Sequence, residues 1–323
     1  MRDGKRYFCL NSVRRSPRRN ADLAIMLLAL IVSFAIFAVN PGPGAAQTGP
    51  PVVGVHHDSS NDVNQNPTLH SNSAAGTSVG EDSAAENELL ESANQSREAA
   101  GVPPLRLDES LREAARAHAR RMVASDQLEH QFSGELSLLE RIAQVSPLKI
   151  DRAGENVAYA ESSPKANEAL MRSPPHRENL LDRGFNVAGI AAIWSKGRLY
   201  VVQDFAHQVP SYTAQQSVKL IGRAVSQMRQ QAGLPELIQR TPPKLDEAVC
   251  ALAAENPPNA HLLATAYDNR KIITYTQSRP EVLPPAAINM LQDPGVHQFA
   301  AGACYARNAR YPAGTYWVAI LLY

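Results

Sequence analysis

The chain has 323 residues, 44% of them apolar, with 32 Lys and Arg against 31 Asp and Glu. That length leaves room for about two domains once a targeting segment is set aside, and the apolar share is that of a chain with a packed core. Because the first 46 residues hold seven basic and only two acidic side chains, the remainder is acidic and carries no clustered basic footprint of a nucleic-acid binder.

The N-terminus has the layout of an export signal. Arg2, Lys5, Arg6, Arg14, Arg15, Arg18 and Arg19 precede an apolar run from Leu23 to Val39 that only Ser33 interrupts, a charged region followed by a hydrophobic one. The run lies between the length of a signal core and that of a full membrane span. Two readings of residues 1–46 therefore stay open: cleavage near Gly44-Ala-Ala46, or an uncleaved anchor over residues 23–39 with its basic side in the cytoplasm. Either places the rest outside the cytoplasm, secreted or held at the membrane by that segment alone. Residues 47–85 are rich in Pro, Gly, Ser, Asn and Thr and are expected to form a disordered linker. Within them Gly76-Thr-Ser-Val-Gly80 spells a nucleophile elbow, but no strand precedes it, so it reads as coincidence. His56, His57 and His70 read as solvated side chains.

The folded part is expected to begin with a helix from about Asp82 to Ala100, stopped by Gly101. Asp108 then caps a second helix whose Leu111, Ala115, His118 and Met122 share one stripe, which makes His118 a hydrogen-bonded core histidine. Leu136 to Val145 reads as a third, short helix, and Ala153 to Ala160 as a turn entering an extended segment. Pro164 opens a helix to about Met171, and Pro174-Pro175 ends it, leaving His176 on a rigid corner. Val187 to Ile193 and Arg198 to Phe205 are apolar, β-branched runs joined at Trp194-Ser-Lys-Gly197, a hairpin.

The chain then repeats itself. Arg229-Gln-Gln-Ala-Gly233-Leu-Pro-Glu-Leu237 echoes Arg97-Glu-Ala-Ala-Gly101-Val-Pro-Pro-Leu105, and Lys244-Leu-Asp-Glu247 echoes Arg106-Leu-Asp-Glu109. A degenerate second copy is expected over 211–323, packed on the first. Lys271-Ile-Ile-Thr-Tyr275 stands where the first copy has Gly154-Glu-Asn156, so the matching carboxylate is missing, and His297 is a candidate echo of His176. Cys250 and Cys304 permit one disulfide or two unpaired buried thiols.

Two histidines and two carboxylates concentrate between Leu128 and Asn179: His130, Glu135, Glu155 in Gly154-Glu-Asn156, and His176 in Ser173-Pro-Pro-His-Arg-Glu-Asn179. Gly154 and the proline pair read as bends that aim Glu155 and His176 into a shared cleft. Together with His118-Ala-Arg-Arg-Met122, Leu128-Glu-His130 and the Gly189 strand, these motifs resemble the bacterial branch of the CAP superfamily, which comprises the cysteine-rich secretory, antigen 5 and pathogenesis-related proteins. The resemblance covers Glu86 to about Val209. It departs from the bacterial pattern at Ala169-Leu-Met171, where a Trp often stands. The fold it implies is an α-β-α sandwich over 86–210, and it carries the family's cleft tetrad onto His130, Glu135, Glu155 and His176. Some members bind sterols or other lipids, some bind divalent metal, and peptidase activity is proposed for a few.

Such a tetrad has two chemistries open to it. His130 and His176 could ligate zinc or another divalent metal, with Glu135 and Glu155 orienting the rings or acting on a bound water. Otherwise the four form a hydrogen-bonded brace. Ser173 is the local candidate for a metal-free nucleophile, and a Ser before Pro-Pro is more simply a cap. Glu129 is expected to face solvent. Three functions follow: a module binding an unknown small-molecule, lipid or peptide ligand; a metal-assisted hydrolase of peptides or cell-envelope material; and an adhesion or scaffold protein with a vestigial cleft.

Overall fold

The computed structural model describes residues 53–54, 80–255, 258–267 and 271–323. Apart from Val53, Gly54 and residues 80–85, where the chain enters the fold, the signal segment and the linker lie outside the described residues. Among the described residues no helix is long and apolar enough to cross a membrane. Two short strands, β1 (Val53–Gly54) and β2 (Gly80–Glu81), precede the first helix.

Asp82 caps α1 (Ser83–Ala99) by accepting from the Ala85 amide at 3.0 Å, and Gly101, at φ +65°, ends it. A left-handed glycine after the last turn is the usual helix stop. β3 (Arg106–Leu107) follows. The Asp108 carboxylate accepts from the amides of Ser110 and Leu111 at the start of α2 (Glu109–Ser125), which buries the predicted stripe of Leu111, Ala115, His118 and Met122. α3 (Leu138–Val145) starts later than Leu136, because Ser137 and Glu140 form a capping box there.

Glu155 lies inside a strand, β4 (Ile150–Ala160), and not on a bend. Gly154 serves packing: a Cβ there would stand 2.8 Å from the Phe185 ring. After α4 (Ser163–Arg172), Pro174-Pro175 does more than end a helix, since it opens another, α5 (Pro174–Leu180). Proline is tolerated in a first turn, where its missing N–H would have no helical partner. His176 therefore sits in a helical first turn rather than on a corner. The predicted hairpin forms from β5 (Val187–Ser195) and β6 (Arg198–Gln208). Its two-residue turn places Lys196 at φ +50° and Gly197 at φ +73°, as a type I′ turn requires.

The first sheet runs β1-β4-β6-β5-β2, with β3 also on β5. Leu89, Ala166, Leu180 and Phe185 from the α1, α4 and α5 side pack with Val201 and Phe205 on one face. Ala115, Ala119 and Met122 of α2 pack with Val157, Tyr200 and Val202 on the other, giving three α-β-α layers. Gly189 lets α2 lie directly on β5, for a Cβ there would fall 2.1 Å from the Leu111 backbone.

The second half contains α6 (Ala214–Gln231), β7 (Ile238–Arg240), α7 (Leu245–Ala254), α8 (His261–Ala266), β8 (Ile272–Gln277), α9 (Pro285–Leu291), β9 (Gln298–Asn308) and β10 (Tyr311–Leu322). Its sheet runs β7-β9-β10-β8. β7 is parallel to β9 as β3 is to β5, and β8 is antiparallel to β10 as β4 is to β6. Details match too. Arg97 donates to the carbonyls of Pro103 and Leu180, and Arg229 to those of Pro235 and Leu291. The Asp182 carboxylate accepts from Gly184 N, and that of Asp293 from Gly295 N. A Cβ on Gly302 would press on the Leu245 backbone at 3.1 Å.

These matches correct one more expectation. Arg106 N donates to the carbonyl of Asn186, and Ile238 N to that of His297, so His297 stands where Asn186 stands. Since Leu180 and Leu291 are equivalent ends of α5 and α9, the position of His176 is taken by buried Ala287. Of the two readings of the cysteines the disulfide is the one found: Cys250–Cys304 ties α7 to β9.

The halves meet through polar contacts. The Arg307 guanidinium donates to the carbonyls of Ala143, Ser146 and Leu148 at the end of α3. Lys149 Nζ donates to the Tyr316 hydroxyl at 3.0 Å and lies 4.1 Å above the Tyr305 ring, where burial depresses its pKa.

Candidate functional site

Side chains alternate along a strand, so Glu155 and Asn156 leave β4 on opposite faces. On the α2 face, Glu155 Oε1 accepts from His130 Nδ1 at 2.8 Å, and Oε2 accepts from Arg141 of α3. Arg141 also donates to the His130 carbonyl at 3.1 Å and stands 3.4 Å from Glu135 Oε1. Glu135 lies 2.9 Å from His118 Nδ1 through Oε1 and accepts from the Phe132 amide through Oε2. The loop after α2 is thereby folded back on itself. His118 Nε2 is 2.8 Å from the Glu129 carbonyl, which can only accept, so that nitrogen carries hydrogen. Nδ1 faces both the acceptor Glu135 Oε1 and the donor Arg141 Nη1, the latter at 2.8 Å, and only one of the two can be a hydrogen bond at a time.

On the opposite face, Asn156 Nδ2 donates to the His176 carbonyl at 3.0 Å. Asn179 Nδ2 donates to the Glu155 carbonyl at 3.0 Å and to Asn156 Oδ1 at 3.2 Å. Two asparagines thus pin α5 to β4. His176 Nδ1 lies 2.7 Å from Ser173 Oγ, while Nε2 is buried without a hydrogen-bond partner among the described residues. Burial, and then the charge of His130, lower the His176 pKa to about 4. The two imidazoles are therefore within electrostatic reach of each other around β4.

The electrostatics follow from burial and pairing. Burial opposes ionisation of Glu155, but Arg141, then His118 and His130, outweigh it and bring the carboxyl down to about 2. The Glu135 carboxyl is also lowered, burial being overcome by His118, the Phe132 amide and Arg141. Asp204 lies directly across from Glu155 in the β4–β6 register and behaves oppositely. Burial and the facing charge of Glu155 push it well above the usual carboxylate range.

All four predicted side chains are near β4, but not as one ring. Glu155 and His130 touch, Glu135 joins them through His118 and Arg141, and His176 comes from the far face. Glu129 is exposed as expected, although its carbonyl is used. His118 is a buried, hydrogen-bonded core histidine as expected, and its partner is a site residue. Arg141, Asp204, Asn156 and Asn179 were not anticipated. The available signals were an arginine on the apolar stripe of Leu138, Ile142 and Val145, and an aspartate inside the run Val201-Val-Gln-Asp-Phe205.

The carboxylates do not fit as direct ligands of a metal centre expected at His130 and His176. The carboxylate oxygens of Glu155 are engaged by His130 and Arg141, and those of Glu135 by His118 and the Phe132 amide. Among the described residues no group of three or more His, Cys, Asp and Glu is placed to hold a metal ion.

Residues 90–205 match the family described as CAP, the cysteine-rich secretory protein family. The chain is similar to the uncharacterized protein YkwD of Bacillus subtilis (strain 168), 31% identical over 114 residues, which are 35% of this chain and 44% of that relative. It thus spans less than half the length of the curated relative it matches. Among solved structures, an outer surface protein from Borrelia burgdorferi aligns with TM-score 0.38 and 16% identity over 41% of this chain and 100% of that one. An extracellular SCP-domain protein from Bacillus anthracis str. Ames aligns with TM-score 0.35 and 23% identity over 39% and 41%. The family match thus lies over the three-layered first half and encloses His130, Glu135, Glu155 and His176, so that residues 90–205 carry a domain that matches the CAP family.

Proposed function

We propose that this protein is an extracytoplasmic binding module that takes one polar group of a small-molecule, lipid or peptide ligand against His176. The observation that carries this reading is the buried His176 Nε2 without a partner among the described residues. Leaving such an atom unpaired costs about 1–3 kcal/mol, and a ligand hydroxyl or carbonyl would recover it. The depressed His176 pKa keeps the ring neutral at pH 7, so it can meet an uncharged head group as donor or acceptor according to tautomer. Gln203 Nε2, also buried and unpartnered among the described residues, offers a second donor on the face that holds His176. The basic and apolar N-terminus and the Cys250–Cys304 disulfide support an oxidising location outside the cytoplasm. The hydrolase reading has one supporting contact, Ser173 Oγ at 2.7 Å from His176 Nδ1, but a serine nucleophile also needs its base oriented by a third group, and among the described residues none meets His176 Nε2.

The second half, on this reading, is a degenerate copy of the CAP domain with a structural role, as the shared strand order and the Arg97 and Arg229 latches support. The test is a thermal-shift and NMR titration of the full chain with hydroxyl-bearing lipids and short peptides, run beside His176→Ala. Stabilisation of the wild type that disappears in a folded His176→Ala is expected. Equal stabilisation of both proteins would remove His176 from the site.

A further inference from the structure

The acidic and imidazole groups on the α2 face of β4 are arranged around a cation, and that cation is a side chain. Arg141 is 7% exposed. Its guanidinium bonds to Glu155 Oε2 and the His130 carbonyl, and it lies 3.4 Å from Glu135 Oε1 and 2.8 Å from His118 Nδ1. We infer that Arg141 takes the position a divalent ion would occupy on this face of β4, so that Glu135, Glu155 and the imidazoles of His118 and His130 beside them are neutralised without metal and closed to it.

The argument is steric and electrostatic. Two buried carboxylates need compensation, because an unpaired buried charge costs several kcal/mol. Either a divalent ion or an arginine can supply it, but they compete for the same lone pairs. Zinc needs carboxylate oxygens and imidazole nitrogens at about 2.0–2.2 Å, and the atoms that could converge on it, Glu135 Oε1, Glu155 Oε2 and His118 Nδ1, are those the guanidinium already faces. The arginine cannot yield by losing its proton. The helix that carries it, α3, is fixed by its capping box at Ser137 and Glu140 and by buried Leu138 and Ile142. The second half is consistent with one logic. There Thr274 stands at the register position of Glu155, and no carboxylate remains at that position to be neutralised. This inference does not depend on what His176 binds.

The test is a cobalt(II) titration of the full chain, with His56, His57 and His70 changed to Ala in every protein so that the linker cannot take up the ion. Visible d–d absorption and the imidazole NMR signals of His130 and His118 are followed. The wild type is expected to show no saturable site. Arg141→Met, close in length and uncharged, is expected to gain one ion per chain and to lose it again when Glu155→Gln is added. Saturable wild-type uptake that His130→Ala abolishes would overturn the inference, as would a folded Arg141→Met that gains nothing. Should Arg141→Met fail to fold even with cobalt, the wild-type titration decides alone, by presence or absence of that His130-dependent site.

Discussion

In the first half Glu155 faces Asp204 across β4 and β6, while in the second the same register positions are Thr274 and Ala319. The replacement continues along the scaffold. Seven residues beyond the leucine that meets the packing glycine, α2 has His118 and α7 has Leu252, and His176 of α5 gives way to Ala287 of α9. What both halves keep is different in kind: the buried Arg97 and Arg229, the packing Gly189 and Gly302, and the Asp182 and Asp293 turns. The retained set holds the layers together, and the same layers form without the charged cluster. The cluster is therefore not needed to make this architecture, which is the argument for assigning it to function.

Importing residues of the second half into the first tests that division. Glu155→Thr should have the largest effect, a loss of about 3–5 kcal/mol, because it removes one partner of a buried ion pair and leaves Arg141 only Glu135, 3.4 Å away, for compensation. Urea unfolding measures it, and a cost near zero would mean that the two residues are not coupled. The second half holds itself by other means, so Cys250→Ala with Cys304→Ala should cost about 2–4 kcal/mol, read as loss of protection in α7 and β9 by hydrogen exchange while α2 and β5 keep theirs.

Acid should act on the first half through His176. Its folded pKa lies below the usual value near 6.5, at about 4. The neutral ring's contribution is thus complete above 6.5 and falls away as pH drops toward 4, by about 2–3 kcal/mol at most. His176→Ala, which copies Ala287, should flatten the pH 4–6.5 part of the stability curve. The smallest effect is expected from Asp204→Asn. Its folded pKa is raised, so stability is lost as pH climbs from the usual carboxylate range through the folded value, and the neutral amide should remove that loss; below that range, where Asp204 is protonated folded or unfolded, the change should be about 1 kcal/mol or less.

Local signals made much of this legible in the sequence. Asp82, Asp108 and Gly101 announced the ends of α1 and α2, and Lys196-Gly197 announced the hairpin. The tetrad residues were located, but their backbone settings were not. Gly154 was read as a bend when its task is to admit the Phe185 ring, and Pro174-Pro175 as a stop when it also starts α5. Arg141 and Asp204 escaped because their meaning lies in partners distant along the chain: a guanidinium is commonly solvated until tertiary packing buries it against Glu155. His297 was matched to His176 by its neighbours in sequence, whereas equivalence is set by which carbonyl receives the first short strand.

The three carbonyls that Arg307 holds, one in the last turn of α3 and two just past its end, lie only a few residues beyond Arg141. The C-terminal half therefore acts as a buttress for the arm that neutralises the cleft. A fragment ending near residue 210 would keep every cleft side chain yet let that arm fray, and affinities measured on such a fragment would understate those of the intact chain.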